Sequence, residues 1–207
     1  MAADDQEDGP RSKRPAILRA AVELFGELGF EHAKWSAVAE RVGIGQTALY
    51  HYFESKAHCL LTIMRIELDQ SRERFRVATE GLPPEKALAA AVRSAYEVSE
   101  SEALQIRVLH SNFVMLANPR LSEREESARR AARALVHQIE EDWTGLLQAG
   151  MDDGSYPARD PKMMAQAVLG LIVSVWRWYR PGRGTTLAEI TELIEGCVMR
   201  MVGDGPA

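Results

Sequence analysis

Gln46, Thr47, Tyr50 and His51 place four hydrogen-bonding side chains within six residues. If this stretch is helical, these four share one face, while Leu49 and Phe53, four apart, point the other way. An amide, two hydroxyls and an imidazole on one helix face suit the edges of DNA bases; a glutamine can pair bidentately with adenine, or by a single bond with another base. Catalysis finds less support. His51 lacks a partner acid or base at helical spacing, and there is no Gly-rich phosphate loop, GxSxG, HExxH or CxxC. His51, His58 and Cys59 would suggest a metal, but no coordinating set follows them, so neither a metal nor a cofactor is expected.

The elements that must position this face are short. Val38, Ala39 and Val42 repeat at helical spacing, Gly43 supplies a turn, and a second pattern runs from Ile44 through Leu49 to Phe53. That outline is a helix-turn-helix, whose second helix enters the major groove. An earlier stripe of Ile17, Ala21, Leu24, Phe25 and Leu28 forms a supporting helix closed by Gly29, and Phe30 returns to the same core. Trp35, one turn before Val38, is assigned to core rather than to DNA.

Ala, Leu, Glu and Arg are abundant and strict alternation is scarce, so the 207 residues read as all-α. A hydrophobic share of 46% with 27% charged residues fits one or two globular domains and excludes extensive disorder. No apolar run reaches the roughly 18 residues of a membrane span, the start does not read as a signal peptide, and the two cysteines lie far apart; no membrane partner and a cytoplasmic location are expected. The net charge of −5 is unevenly placed. Residues 1–10 carry four acids and no base, whereas residues 11–56 carry seven Lys and Arg against five Glu. Only the region of the helix-turn-helix is basic, and Arg11, Lys13 and Arg14 could rest on flanking phosphates.

The run ILRAAVELFGELGFEHAKWSAVAERVGIGQTALYHYFESK, residues 17–56, resembles the DNA-binding domain of the TetR family of transcriptional regulators. Ala20-Ala21-x-x-Leu24-Phe25, Gly29-Phe30, and Leu49-Tyr50-His51-Tyr52-Phe53 followed by Lys56 carry the likeness. The resemblance implies groove contacts from Gln46, Thr47, Tyr50 and His51, and phosphate contacts from Tyr52 and Lys56. The chemistry agrees, since tyrosine hydroxyls can donate to phosphate and Lys56 places a cation in a helix's first turn. Lys34 and Gly45 depart from the family's pattern, standing where Ser or Thr caps are usual.

The rest of the chain reads as six further helices: about 55–80, 84–100, 102–117, a capping box at Ser122 and Glu125 opening one to about Ala149 and closed by Gly150, then 161–179 and 187–202. The resulting organisation is an acidic disordered tail (1–10), a three-helix helix-turn-helix domain (11–56) and a C-terminal helical ligand-binding and dimerisation domain (57–207). The resemblance implies a homodimer reading a palindromic operator on double-stranded DNA, released by a small-molecule effector. It implies a pocket lined by Met64, Leu68, Tyr96, Ile106, Leu109, His110, Phe113, Trp143, Leu147, Val168 and Trp176, with plain core as the alternative for each. It implies a dimer face containing Leu187, Ile190, Ile194, Cys197, Val198 and Met201. The segment Trp176-x-Trp178-Tyr179-Arg180-Pro181 resembles a subgroup that includes regulators of fatty-acid and steroid catabolism, which respond to acyl-CoA thioesters. Arg72, Arg74, Arg76 and Arg107 could then meet the thioester's phosphates if they face the channel. Glu140, Glu141 and Asp142 would instead suit cationic drugs in a regulator of transporter genes. A sensor that has lost specific DNA binding is a further alternative.

Overall fold

The computed structural model describes residues 10–182 and 184–203, with side chains from Lys13 onward. The acidic tail, residues 1–9, and the Arg11 side chain therefore lie outside the described residues. Among the described residues there are nine α-helices and no strand. They are α1 (Pro10–Leu28), α2 (Trp35–Val42), α3 (Gln46–Tyr52), α4 (Lys56–Thr79), α5 (Pro84–Ser94), α6 (Glu100–Ser111), α7 (Glu123–Asp152), α8 (Pro161–Trp178) and α9 (Leu187–Gly203), with a 3-10 helix at Phe113–Leu116.

Two apolar cores hold these helices. The first packs Ile17, Phe25, Trp35, Val38, Leu49 and Phe53 with Leu60, Leu61 and Met64 of α4, and continues to Val108, Leu116 and Ala132. The second joins α5 to α9 through Leu88, Tyr96, Leu147, Val168, Ile172, Ile190 and Val198. The core of the head thus runs past Lys56 into the first half of α4, so head and body share a packed seam.

Local chemistry redraws three boundaries expected from periodicity. The fifth helix ends at Ser94, because Ala95 and Tyr96 take tight bonds to Val92 and Arg93 carbonyls and Ser99 with Glu102 then forms a complete capping box for α6. The sixth ends at Ser111 rather than Ala117, since Asn112 bonds back to the Val108 carbonyl at 2.8 Å and the chain tightens into the 3-10 helix. Gly150 does not close α7 but lies within it. A Cβ there would stand 2.3 Å from the Tyr156 ring, so the glycine admits a close approach.

The capping box expected at Ser122 is half formed. Ser122 Oγ accepts from the Glu125 N–H at 3.4 Å, but the Glu125 carboxylate does not return to it. That carboxylate reaches across to Ser55 instead.

Candidate DNA-reading head and effector cavity

The turn between α2 and α3 depends on one backbone conformation. Gly43 has φ 69°, the left-handed region that glycine enters without a Cβ penalty, and its N–H closes α2. Lys34 and Gly45 occupy the N-cap positions of α2 and α3 with no side-chain cap, as their residue types imply. Leu49 on α3 and Phe53 at its C-cap are fully buried, and Phe53 meets Trp35 edge-on at 6.4 Å between ring centroids. Trp35 is accordingly core.

The opposite face carries Gln46, Thr47, Tyr50 and His51, all exposed. The structure brings these four together on a surface free of acidic side chains from Gly45 to Phe53. Tyr52 is half-buried, and its carbonyl accepts from Arg14 at 3.3 Å while the same guanidinium lies 4.4 Å over the Phe53 ring. Arg14 therefore helps hold the head, a role the sequence did not signal. Arg41 is engaged with Glu23 and Glu27.

Lys56 has partners within the chain itself. Its ammonium donates to the carbonyls of Phe30 (2.6 Å), Ala33 (3.1 Å) and Glu31 (3.3 Å), and it sits 4.4 Å over the Phe30 ring. An ammonium has three protons, and all three are directed at the loop before α2. In this structure Lys56 pins the head's corner.

Behind the head, α4, α6, α7 and α8 enclose an apolar cavity of about 400 Å³. Of the residues expected to line a pocket, Leu68, Ile106, Leu109, His110, Phe113, Trp143 and Trp176 do so. Met64, Leu147 and Val168 are instead fully buried in the two cores. Tyr96 donates to the Ile172 carbonyl at 2.8 Å and faces a groove against α9. All four are buried under neighbouring side chains rather than open to the cavity. Glu67 and Arg74, missed as a pair, form a polar wall of the cavity. Glu67 is 1% exposed and accepts from Arg74 at 2.7 Å and Gln105 at 2.9 Å. Burial pushes its carboxyl above the usual range, opposed by Arg74. Burial also pushes the His110 imidazole down to about 4, so it is neutral near pH 7, stacked on Phe113 with rings 6.2 Å apart.

The four arginines considered for phosphates part company. Arg74 lines the cavity; Arg107 lines a separate cleft beside Gly26 and His32; Arg72 pairs with Asp142 at 2.7 Å; Arg76 pairs with Glu73 on the exposed side of α4. The acidic run of α7 divides likewise, with only Glu140 at the cavity, Asp142 on Arg72 and Glu141 beside His137. No cluster of three or more metal-ligating side chains occurs among the described residues. No described helix is long and apolar enough to cross a membrane.

The expected dimer face needs a correction. Ile190, Ile194 and Val198 are at most 6% exposed within a single chain and belong to its own second core, while Leu187, Cys197 and Met201 are half-buried. The large apolar side chains left exposed on α8 and α9 are Met163, Trp178 and Leu193. One helix cannot aim the same stripe at its own core and at a partner.

Residues 17–63 match the family described as bacterial regulatory proteins, tetR family, and residues 81–202 match the tetracyclin repressor-like C-terminal domain. The chain belongs to the TetR family. It is a DNA-binding transcriptional regulator with an N-terminal helix-turn-helix and a C-terminal helical domain. Among its relatives is the HTH-type transcriptional repressor KstR2 of Rhodococcus jostii, 28% identical over 193 residues that span 91% of this chain and 90% of that protein. The fold matches the ketosteroid transcriptional regulator KstR2 of Mycobacterium tuberculosis with a TM-score of 0.77, at 22% identity over 99% of this chain and 100% of that one. It also matches AibR, crystallised in complex with isovaleryl coenzyme A and operator DNA, with a TM-score of 0.72 at 20% identity over 92% and 97% of the two chains.

Proposed function

We propose that this chain is a homodimeric repressor, acting in the cytoplasm, that holds a palindromic operator until an acyl thioester of coenzyme A enters its cavity. One observation carries the reading. α4 supplies Glu67, Leu68, Ser71 and Arg74 to the cavity wall and, at its first residue, Lys56 to the corner of the reading head. A helix of 24 residues extends about 36 Å, so a small tilt forced at one end displaces the other. Gln46, Thr47, Tyr50 and His51 read bases, Tyr52 and the start of α4 approach phosphate, and residues 57–207 sense and dimerise. Two heads spaced by about 34 to 36 Å engage successive major grooves.

The apolar interior suits an acyl group, and the exposed Arg177 at the cavity's rim offers a cation to a phosphate outside it. Names borne by relatives support a repressor and a thioester. A cationic effector is disfavoured, because the buried Glu67 already has Arg74 as its counter-charge. The exposed Met163, Trp178 and Leu193 supply the apolar contacts between protomers. The test is binding to DNA from the chain's own upstream region across salt concentrations, without and with a series of acyl-CoA thioesters. Expected are affinity that falls steeply with salt and release by at least one thioester but not by free coenzyme A. Equally weak binding to all DNA would overturn the regulator reading, and tight thioester binding without release would overturn the mechanism.

A further inference from the structure

Where the head meets the body, two serines each do two things. Ser55 caps α4, accepting from the His58 N–H at 2.9 Å, and donates to Glu125 Oε1 at 2.5 Å. Ser122 caps α7, accepting from the Glu125 N–H, and donates to Glu54. A hydroxyl has one proton and two lone pairs, so capping and donating are compatible. Each helix start thus gives its serine proton to a carboxylate belonging to the other, and the two strands of the clamp cross between residues about 70 apart in sequence. Glu125 stands where a capping box would return it to Ser122, and it is committed across the seam instead.

The next residue continues the connection toward the cavity. Glu126 receives Arg129 through two bonds of 2.7 Å and the Arg120 N–H at 3.0 Å, which holds its carboxyl well below the usual range. Arg129, 7% exposed, gives its remaining guanidinium nitrogen to the Leu116 carbonyl at 2.9 Å. Leu116 ends the 3-10 helix that Phe113 begins in the cavity wall. On the other side, Lys56 follows Ser55 and grips the loop before α2. Every link from cavity wall to head is therefore a named hydrogen bond or a single rigid turn.

We propose that this crossed serine–carboxylate clamp transmits the state of the cavity to the reading head, with Glu54, Ser55, Ser122 and Glu125 as positioning residues alongside the tilt of α4. The proposal rests on the cavity being the effector site. Displacement of Phe113 shifts the 3-10 helix, Arg129 carries the shift to the first turns of α7, and the clamp passes it to the α3–α4 corner.

Amide hydrogen exchange on the full chain tests this without a known effector. Phe113→Ala, at a residue 41% exposed, perturbs the cavity wall with little risk to folding. Ser55→Gly with Ser122→Gly removes both donors while glycine remains a tolerable N-cap. In the wild-type background Phe113→Ala is expected to raise exchange across residues 53–58 about tenfold, and in the glycine double variant it should leave those rates unchanged. Ser55→Thr with Ser122→Thr, which keeps both hydroxyls, should restore the response. An equal response in both backgrounds, or none in the wild type, overturns the proposal. Operator binding is scored separately: wild-type chain that ignores its upstream DNA defeats the regulator reading and leaves the exchange result to judge the clamp.

Discussion

The proposed reading face and the proposed effector cavity are both made by helices, but they obey opposite rules. The proposed reading face is four side chains of one seven-residue helix, Gln46, Thr47, Tyr50 and His51, polar and exposed, held from behind by Leu49 and Phe53. The cavity draws on α4, α6, the 3-10 helix, α7 and α8, is largely apolar, and holds its buried polar groups either paired, as Glu67 is with Arg74, or neutral, as His110 is. A face of this kind can lose a side chain without losing its fold, because water replaces what is removed. Most of the cavity wall is also core, so its buried side chains carry stability as well as recognition. Seen this way, affinity and stability should separate in the head's outer face and remain entangled everywhere else.

The largest effect should come from breaking that division at its boundary. Phe53→Ala removes a fully buried ring packed on Trp35, Arg14 and His58, and is expected to cost about 3 to 5 kcal/mol in denaturant unfolding and to abolish operator binding with it. Retained stability would mean that the head does not depend on its own core. Next comes pH. His110 titrates at about 4 when folded against 6.5 in the ordinary state, so between those values the unfolded chain takes up a proton that the folded one refuses. Stability should therefore fall by about 3 kcal/mol as pH drops from 6.5 to 4, with no contribution above 6.5. His110→Phe should remove that part of the slope in unfolding curves measured across pH.

On the outer face, Tyr50→Ala or Gln46→Ala should weaken operator binding by about 1 to 3 kcal/mol in a titration at fixed salt, with unfolding midpoints unmoved. A matching loss of stability would erase the proposed contrast. The smallest effect is expected at Arg41, whose bonds to Glu23 and Glu27 are solvent-exposed, so Arg41→Ala should leave the unfolding curve within error.

How much of each site was legible follows from the same contrast. The exposed polar face of α3 could be read directly, because neighbours in sequence share a helix face and Gly43 marks the turn. The cavity was legible in part. Leu68, Leu109 and Trp143 line it, yet Met64, Leu147 and Val168, equally apolar and on the same kind of helical stripe, are buried in the two cores. Periodicity identifies a buried face and says nothing of whether the space beyond it is filled. Ile190, Ile194 and Val198 failed as dimer contacts for that reason: an apolar stripe does not name its partner.

Capping chemistry shows the limit most clearly. Ser122 and Glu125 have the spacing of a capping box, and the sequence correctly placed a helix start there; only the fold brings Ser55 within reach and takes the carboxylate away. Lys56 is similar, since three carbonyls from the loop before α2 decide where its ammonium points. The sequence by itself determined the all-helical class, the turn at Gly43 and the polar face of α3, all products of forces acting over a few residues. The tertiary structure alone decided which apolar side chains surround a void, which carboxylates meet which donors, and that α4 belongs to both sites. Those depend on contacts between residues tens of positions apart, whose geometry no local pattern encodes.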